Sequence, residues 1–250
     1  MSSVKEKRPH GARVTRMSVF RVRAALLAFL LVSLAALAAA CGPSGAFQSV
    51  GKVRAVATIG MITDVVRQVG GEHVEVIGLM KAGVDPHLYK ASQGDIAKLE
   101  QADIIFYNGL HLEGKMSDIF ERMAKVKPTV AVSDRIDRSL LRAGDPTEGT
   151  EYDPHIWFNV RHWMTATETI RDALMRIDPA HAESYRNNAA RYLQQLEELH
   201  REVAEKIASI PQQSRVLVTA HDAFGYFGDA YGIEVRGLQG LSTASEAGTK

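Results

Sequence analysis

Asp178 to Pro211 reads DPAHAESYRNNAARYLQQLEELHREVAEKIASIP. Asp178 suits a helix N-cap and Pro179 the first helical turn. Tyr185, Ala189, Tyr192, Leu196, Leu199, Val203, Ile207 and Ile210 then recur at three- and four-residue steps, which makes one apolar stripe. The intervening charges form the solvated face, and Pro211 ends the helix. At 1.5 Å per residue such a helix runs about 45 Å. A second helical stretch, from about Val160 to Ile177, precedes it. A helix that long between two α/β segments exceeds what a crossover needs, so it is predicted to be a rigid strut joining two lobes.

Upstream, short apolar runs rich in β-branched residues alternate with helical patterns. Val53 to Ile59, Val74 to Leu79, Asp103 to Tyr107 and Thr129 to Val132 read as strands. Ile62, Val65, Val66 and Val69 mark a helix closed by Gly70-Gly71. Ser92 followed by Asp95 marks a capped helix with Ile96 and Leu99 inward, and Ile119, Phe120 and Met123 share a face of another. This alternation predicts βαβ units and a parallel sheet, whose ligands sit outside the carboxyl ends of the strands. Downstream, Arg215 to Ala220 and Ile233 to Leu238 read as strands around a helix ending at Gly232. Two strands and one helix cannot bury both faces of a sheet. The second lobe is therefore expected to be incomplete, as in a C-terminally truncated chain. The fold class is α/β: residues 53–158 form the first lobe, 159–211 the linking helices, and 212–250 the start of the second.

Residues 1–40 read as an export signal and stand outside the fold. Arg13, Arg16, Arg21 and Arg23 precede an uncharged run from Ala24 to Ala40, which ends in small residues before Cys41. Met17 would make a more ordinary start than Met1. Cys41 is the only cysteine, so neither an intrachain disulfide nor a cysteine-based zinc site is available. It is read as a lipid attachment point, with an uncleaved anchor helix as the alternative. Either places the rest of the chain outside the cytoplasm. Residues 41–52 read as a tether. The formal net charge of +1, with acids and bases interspersed, gives no nucleic-acid footprint.

Asp-Pro-His occurs twice, at Asp85-Pro86-His87 and at Asp153-Pro154-His155, and His221 ends an apolar run. Proline restrains itself and the residue before it, so each tripeptide is a stiff presentation loop. Imidazole is the commonest protein ligand for a borderline transition metal. Three such histidines at the ends of distant elements predict one metal site assembled by the fold. Asp222 adjoins His221, and His111 follows a strand. Both are candidates for a supporting position, and for His111 direct ligation, capping or plain packing stay open. His73, His162, His181 and His200 read as surface or packing residues, as do Trp157 and Trp163 near the lobe junction. Phe224, Tyr226, Phe227 and Tyr231 read as core.

Five ordered segments resemble the metal-binding receptors of bacterial ABC importers for zinc and manganese, extracytoplasmic solute-binding proteins that are often lipoproteins. They are DPHLY at 85–89, YNGLHLE at 107–113, DPHIWFN at 153–159, VTAHDAFGYF at 218–227 and GLST at 240–243. The resemblance covers almost all of residues 41–250. It implies two α/β lobes joined by one long helix with the metal between them, and His87, His155 and His221 as ligands. It also implies a fourth, carboxylate ligand, expected beyond residue 250. Zn²⁺ or Mn²⁺ would be the cargo. A permease and its ATPase would be partners, with a lipid anchor holding a monomer at the membrane, and release would proceed by local rearrangement of the second lobe. Three nitrogens favour zinc by intrinsic affinity. The loop Arg138 to Tyr152, however, lacks the histidines common in the zinc branch, so the preference stays undecided.

Two alternatives compete. A three-histidine zinc hydrolase would need a general base, for which Glu113 or Asp222 is the candidate, but the chain has no His-Glu-x-x-His motif. A surface adhesin with a structural metal would unfold when the metal is removed.

Overall fold

The computed structural model describes residues 51–146 and 149–243. These fall in one compact unit. Four parallel strands form the main sheet: β1 (Val53–Ala57), β2 (Val74–Gly78), β3 (Ile104–Tyr107) and β4 (Thr129–Ala131), in the spatial order β2-β1-β3-β4. Val56 lies opposite Ile77 on one side and Ile105 on the other, and Phe106 opposite Val130. Val56, Ile104, Ile105 and Phe106 are wholly buried, because helices cover the parallel sheet.

Helix α1 (Gly60–Gly70) turns Ile62, Val65, Val66 and Val69 into that core, as their spacing predicts. Helix α2 (Gln93–Gln101) begins with a complete capping box, in which the Ser92 hydroxyl accepts from the Asp95 N–H and the Asp95 carboxylate accepts from the Ser92 N–H. The Lys127 ammonium donates to the carbonyls of Leu99, Glu100 and Ala102, where the final turn lacks intrahelical partners. Helix α3 (Ser117–Ala124) leads to β4.

Helix α4 (Val160–Ile177) packs against α5 (Ala182–Ala208), a 27-residue helix of roughly 40 Å. The strut is present, with two local corrections. Pro179–His181 forms a separate 3₁₀ turn, and Asp178 does not cap the backbone with its side chain. Its carboxylate instead accepts from His181 Nδ1 at 2.7 Å and the Tyr185 hydroxyl at 2.5 Å, which ties the start of the strut to the wholly buried Tyr185. The stripe also shifts: Leu199 is exposed, and Leu193 packs against the core in its place. Buried residues on α5 are Tyr185, Ala189 and Leu196, none of them beyond 196, so the apolar stripe is only partly covered toward the far end.

Beyond α5, β5 (Val216–His221) and β6 (Glu234–Gln239) pair in parallel around α6 (Gly225–Tyr231). This is a separate two-stranded sheet among the described residues, and Val216, Val218 and Leu238 stand exposed on it. Gly232, at φ +69°, forms the left-handed cap that ends α6. Among the described residues no helix is long and apolar enough to cross a membrane. The predicted signal and Cys41 lie outside the described residues.

Candidate metal centre

The main sheet reverses its order between β1 and β3, the kind of place where open α/β sheets bind ligands. Thr58 follows β1 and Asn108 follows β3. Buried Glu113 joins them, its Oε1 accepting from the Thr58 hydroxyl at 2.6 Å and the Asn108 N–H at 2.8 Å. Burial pushes the Glu113 carboxyl upward, and the backbone and hydroxyl donors pull it back. The Asn108 amide donates to the Pro154 carbonyl at 2.9 Å, which fastens the second Asp-Pro-His loop to this edge. Glu113 is therefore a brace beneath the site, turned away from the role of general base. Glu113→Ala should orphan two buried donors, at about 1–3 kcal/mol each. Glu113→Gln keeps an acceptor oxygen and should lose less. Urea midpoints of the two variants check this, and equal losses would contradict it.

Both Asp-Pro-His segments fold alike. The first oxygen of Asp85 accepts from the His87 N–H at 2.9 Å, and that of Asp153 from the His155 N–H at 2.9 Å. These Asx turns aim each imidazole back across the loop. His87 projects from the loop after β2, His155 from the residue before the 3₁₀ turn Ile156–Phe158, and His221 from the end of β5. The structure brings all three together. His155 Nε2 lies 3.2 Å from His87 Nε2 and 3.1 Å from His221 Nε2. His155 is buried, while His87 and His221 are half-buried.

The outer partners decide the tautomers of two rings. His155 Nδ1 meets an Asp153 oxygen at 2.7 Å, and His221 Nδ1 meets the Gly240 carbonyl at 2.8 Å. Both partners only accept, so both Nδ1 atoms carry the proton. In the neutral rings each Nε2 then presents a lone pair, and two lone pairs face each other at 3.1 Å. That arrangement is repulsive unless a cation lies between them. Zinc–imidazole bonds of about 2.0–2.1 Å in tetrahedral geometry separate nitrogens by roughly 3.3 Å, close to the separations here. Among the described residues, these three histidines are the group of potential ligands close enough to share an ion.

Burial, and then the neighbouring His155 and His221, lower the His87 pKa to about 4. Burial and His155 likewise push His221 down. Both shifts favour the neutral imidazole, the state a ligand needs.

The expected supporting residues are placed differently. Asp222 does not receive the His221 ring proton; Gly240 does, and the Asp222 backbone N–H donates to Gln239. His111 is exposed and lies outside the three-histidine group, although it lines a cavity with His87. Asp153 is the carboxylate at the centre, wholly buried, and its second oxygen faces Arg142 Nε at 3.8 Å. Arg142 also pairs with Asp229 at 2.6 Å, and the Tyr226 hydroxyl donates to the Asp153 carbonyl at 2.8 Å. The last motif closes the site: the Thr243 hydroxyl donates to Asp85 at 2.5 Å. Trp157 stands edge-on to His155, and Phe158 packs against Phe224. His162 packs on Tyr226, His73 stacks on His181, and His200 meets the Tyr231 hydroxyl, all away from the cluster.

Residues 55–250 match the family described as "Zinc-uptake complex component A periplasmic". The manganese-binding lipoprotein MntA of Bacillus subtilis is 45% identical over 231 residues, which cover 92% of this chain and 74% of MntA. The zinc-binding protein TroA of Treponema pallidum is 47% identical over 197 residues, covering 79% of this chain and 63% of TroA. The solved structure of that periplasmic zinc-binding protein aligns with a TM-score of 0.77 at 46% identity, covering 80% of this chain and 71% of the other. The chain thus spans about three quarters of MntA and less than two thirds of TroA. On this match and these relatives, the chain belongs to the family of the periplasmic component A of zinc-uptake complexes.

Proposed function

We propose that this chain is the extracytoplasmic receptor that binds a divalent transition metal, Zn²⁺ or Mn²⁺, and delivers it to an ABC import permease. The observation that carries this is the convergence of three imidazoles, two of which face each other with their Nε2 lone pairs. His87, His155 and His221 are the ligands, and Asp153 and Gly240 orient two of the rings. A carboxylate as fourth ligand rests on the family resemblance alone. Metal is cargo here, which the match to a zinc-uptake family supports. Relatives named for manganese and for zinc leave the preference between the two open. Residues 53–158 serve as the first lobe, 159–211 as the link and 212–250 as part of the second. Cys41 carries the lipid that holds a monomeric receptor beside its permease and ATPase.

Elemental analysis of the full-length protein should find one zinc or manganese per chain. Saturation at about 100 times Kd should stabilise the fold by about 2.7 kcal/mol, seen as a higher Tm. Absence of both results would end the proposal. The pH dependence has a definite sign. His87 titrates near 4 when folded and near its ordinary 6.5 when unfolded, so between those values the unfolded chain binds the extra proton. Metal-free stability should be level above pH 6.5 with respect to this group and fall as pH drops toward 4. Thermal melts at pH 7.5, 6.0 and 4.5 check this, and a Tm that rose on acidification would contradict it.

A further inference from the structure

Three successive residues after β3 have positive φ: Gly109 at +85°, Leu110 at +52° and His111 at +64°. Glycine adopts this region freely, but each L side chain there costs about 1–2 kcal/mol. The turn is held by the Leu112 N–H donating to the Gly109 carbonyl, by buried Leu112, and by the Glu113 brace. Gly114 leaves room for the imidazole, since a Cβ there would lie 2.6 Å from His111 Nε2. Strain of this kind persists where the surroundings over-determine it, often at functional positions. Here it holds in place a side chain that is itself exposed and contributes little to the core.

His111 stands between cavities. It shares one cavity, of about 270 Å³, with His87, Thr150 and Ser242. It also lines two others, of about 340 and 410 Å³, that present Glu121, Asp134 and Glu151. Arg138 borders one of these two and Lys115 the cavity shared with His87, so a dication passing between them unassisted meets positive charge. The ring nitrogens of His111 offer a ligand at the point where that opposition must be crossed.

We propose that His111 is a transient ligand on an access route, taking a hydrated divalent cation from the two acid-lined cavities and passing it to His87. Each step exchanges one bound water for one imidazole nitrogen, so the ion is never stripped of its shell at once. The final complex contains no His111. This rests on the three-histidine site proposed above. His111 thus sets the rates of loading and release and leaves the equilibrium unchanged.

The test is stopped-flow mixing of the full-length protein with zinc chloride against a competing absorbance indicator, alongside an equilibrium titration. In His111→Ala, association and dissociation should both slow roughly tenfold, equivalent to about 1.4 kcal/mol of barrier, with one zinc bound and Kd within about twofold of wild type. His111→Gly suits the positive φ and removes the ring, so it should fold at least as well and show the same slowing. Wild-type association in either variant would overturn the route. So would unchanged association with a tenfold weaker Kd, which would make His111 a ligand of the final complex. His155→Ala is measured in parallel. Tight zinc binding there would sink the three-histidine site itself, whereas its loss there, with unchanged rates in the His111 variants, would sink the route alone.

Discussion

His155→Ala is expected to weaken zinc and manganese binding by roughly 10²–10³-fold. His155 is the middle of the three rings, within 3.2 Å of both others, and it is the buried one. A four-ligand zinc site binds with about 10–16 kcal/mol, so one ligand carries roughly 3–4 kcal/mol, or a loss of 10²–10³-fold. The truncation also leaves the buried Asp153 carboxylate without its imidazole, held by the loop N–H and Arg142. His162→Ala is the matched control. His162 is nearly as buried, but it packs on Tyr226 and takes no part in the cluster. It should lower stability and still bind one metal. Competition titration of the two variants separates a lost ligand from a damaged fold. Equal affinity in both would contradict the assignment of His155.

Asp153→Asn carries the second large effect. One Asp153 oxygen accepts from both the His155 N–H and Nδ1–H, so it sets the bend of the loop and the direction of the ring together. Asparagine can keep one acceptor oxygen in place. It removes the negative charge that makes the imidazole more basic and offsets the dication, and it turns an N–H₂ toward Arg142. Loss of such an orienting carboxylate lowers metal affinity about 10–100-fold. Asp153→Ala should lose more, because the loop N–H is then orphaned as well. Asp222→Asn, measured by the same titration, should stay near wild type, since the Gly240 carbonyl holds the His221 ring. A larger loss in Asp222→Asn than in Asp153→Asn would reverse these two roles.

Much of this was legible in the residues. The β-branched runs around Val53, Val74, Ile104 and Thr129 are strands because each is apolar over the length that a covered parallel sheet buries. The strut was visible from its stripe, yet Leu199 was misassigned. An ideal helix drifts relative to a fixed three- and four-residue repeat, so beyond Leu196 half-buried His200, on the Tyr231 hydroxyl, and Val203 face inward instead. The three converging histidines stood out because the tripeptide occurs twice and the third ends a strand. Asp153 carried a signal of its own, an aspartate two residues before the histidine, which permits an Asx turn. Nothing local separates it from Asp85, which makes the same turn but pairs with Thr243.

By itself the sequence determined the α/β class, the long helix and the three imidazoles, because periodicity and motif repetition are local properties of the chain. Only tertiary structure decided which nitrogens face one another, which acceptor holds each ring, and that Glu113 braces the loops from below. The facing nitrogens belong to residues 66 and 68 positions apart, and the brace joins Glu113 to Thr58, 55 positions away. Their geometry is set by the packing of whole elements, which no short stretch of chain encodes.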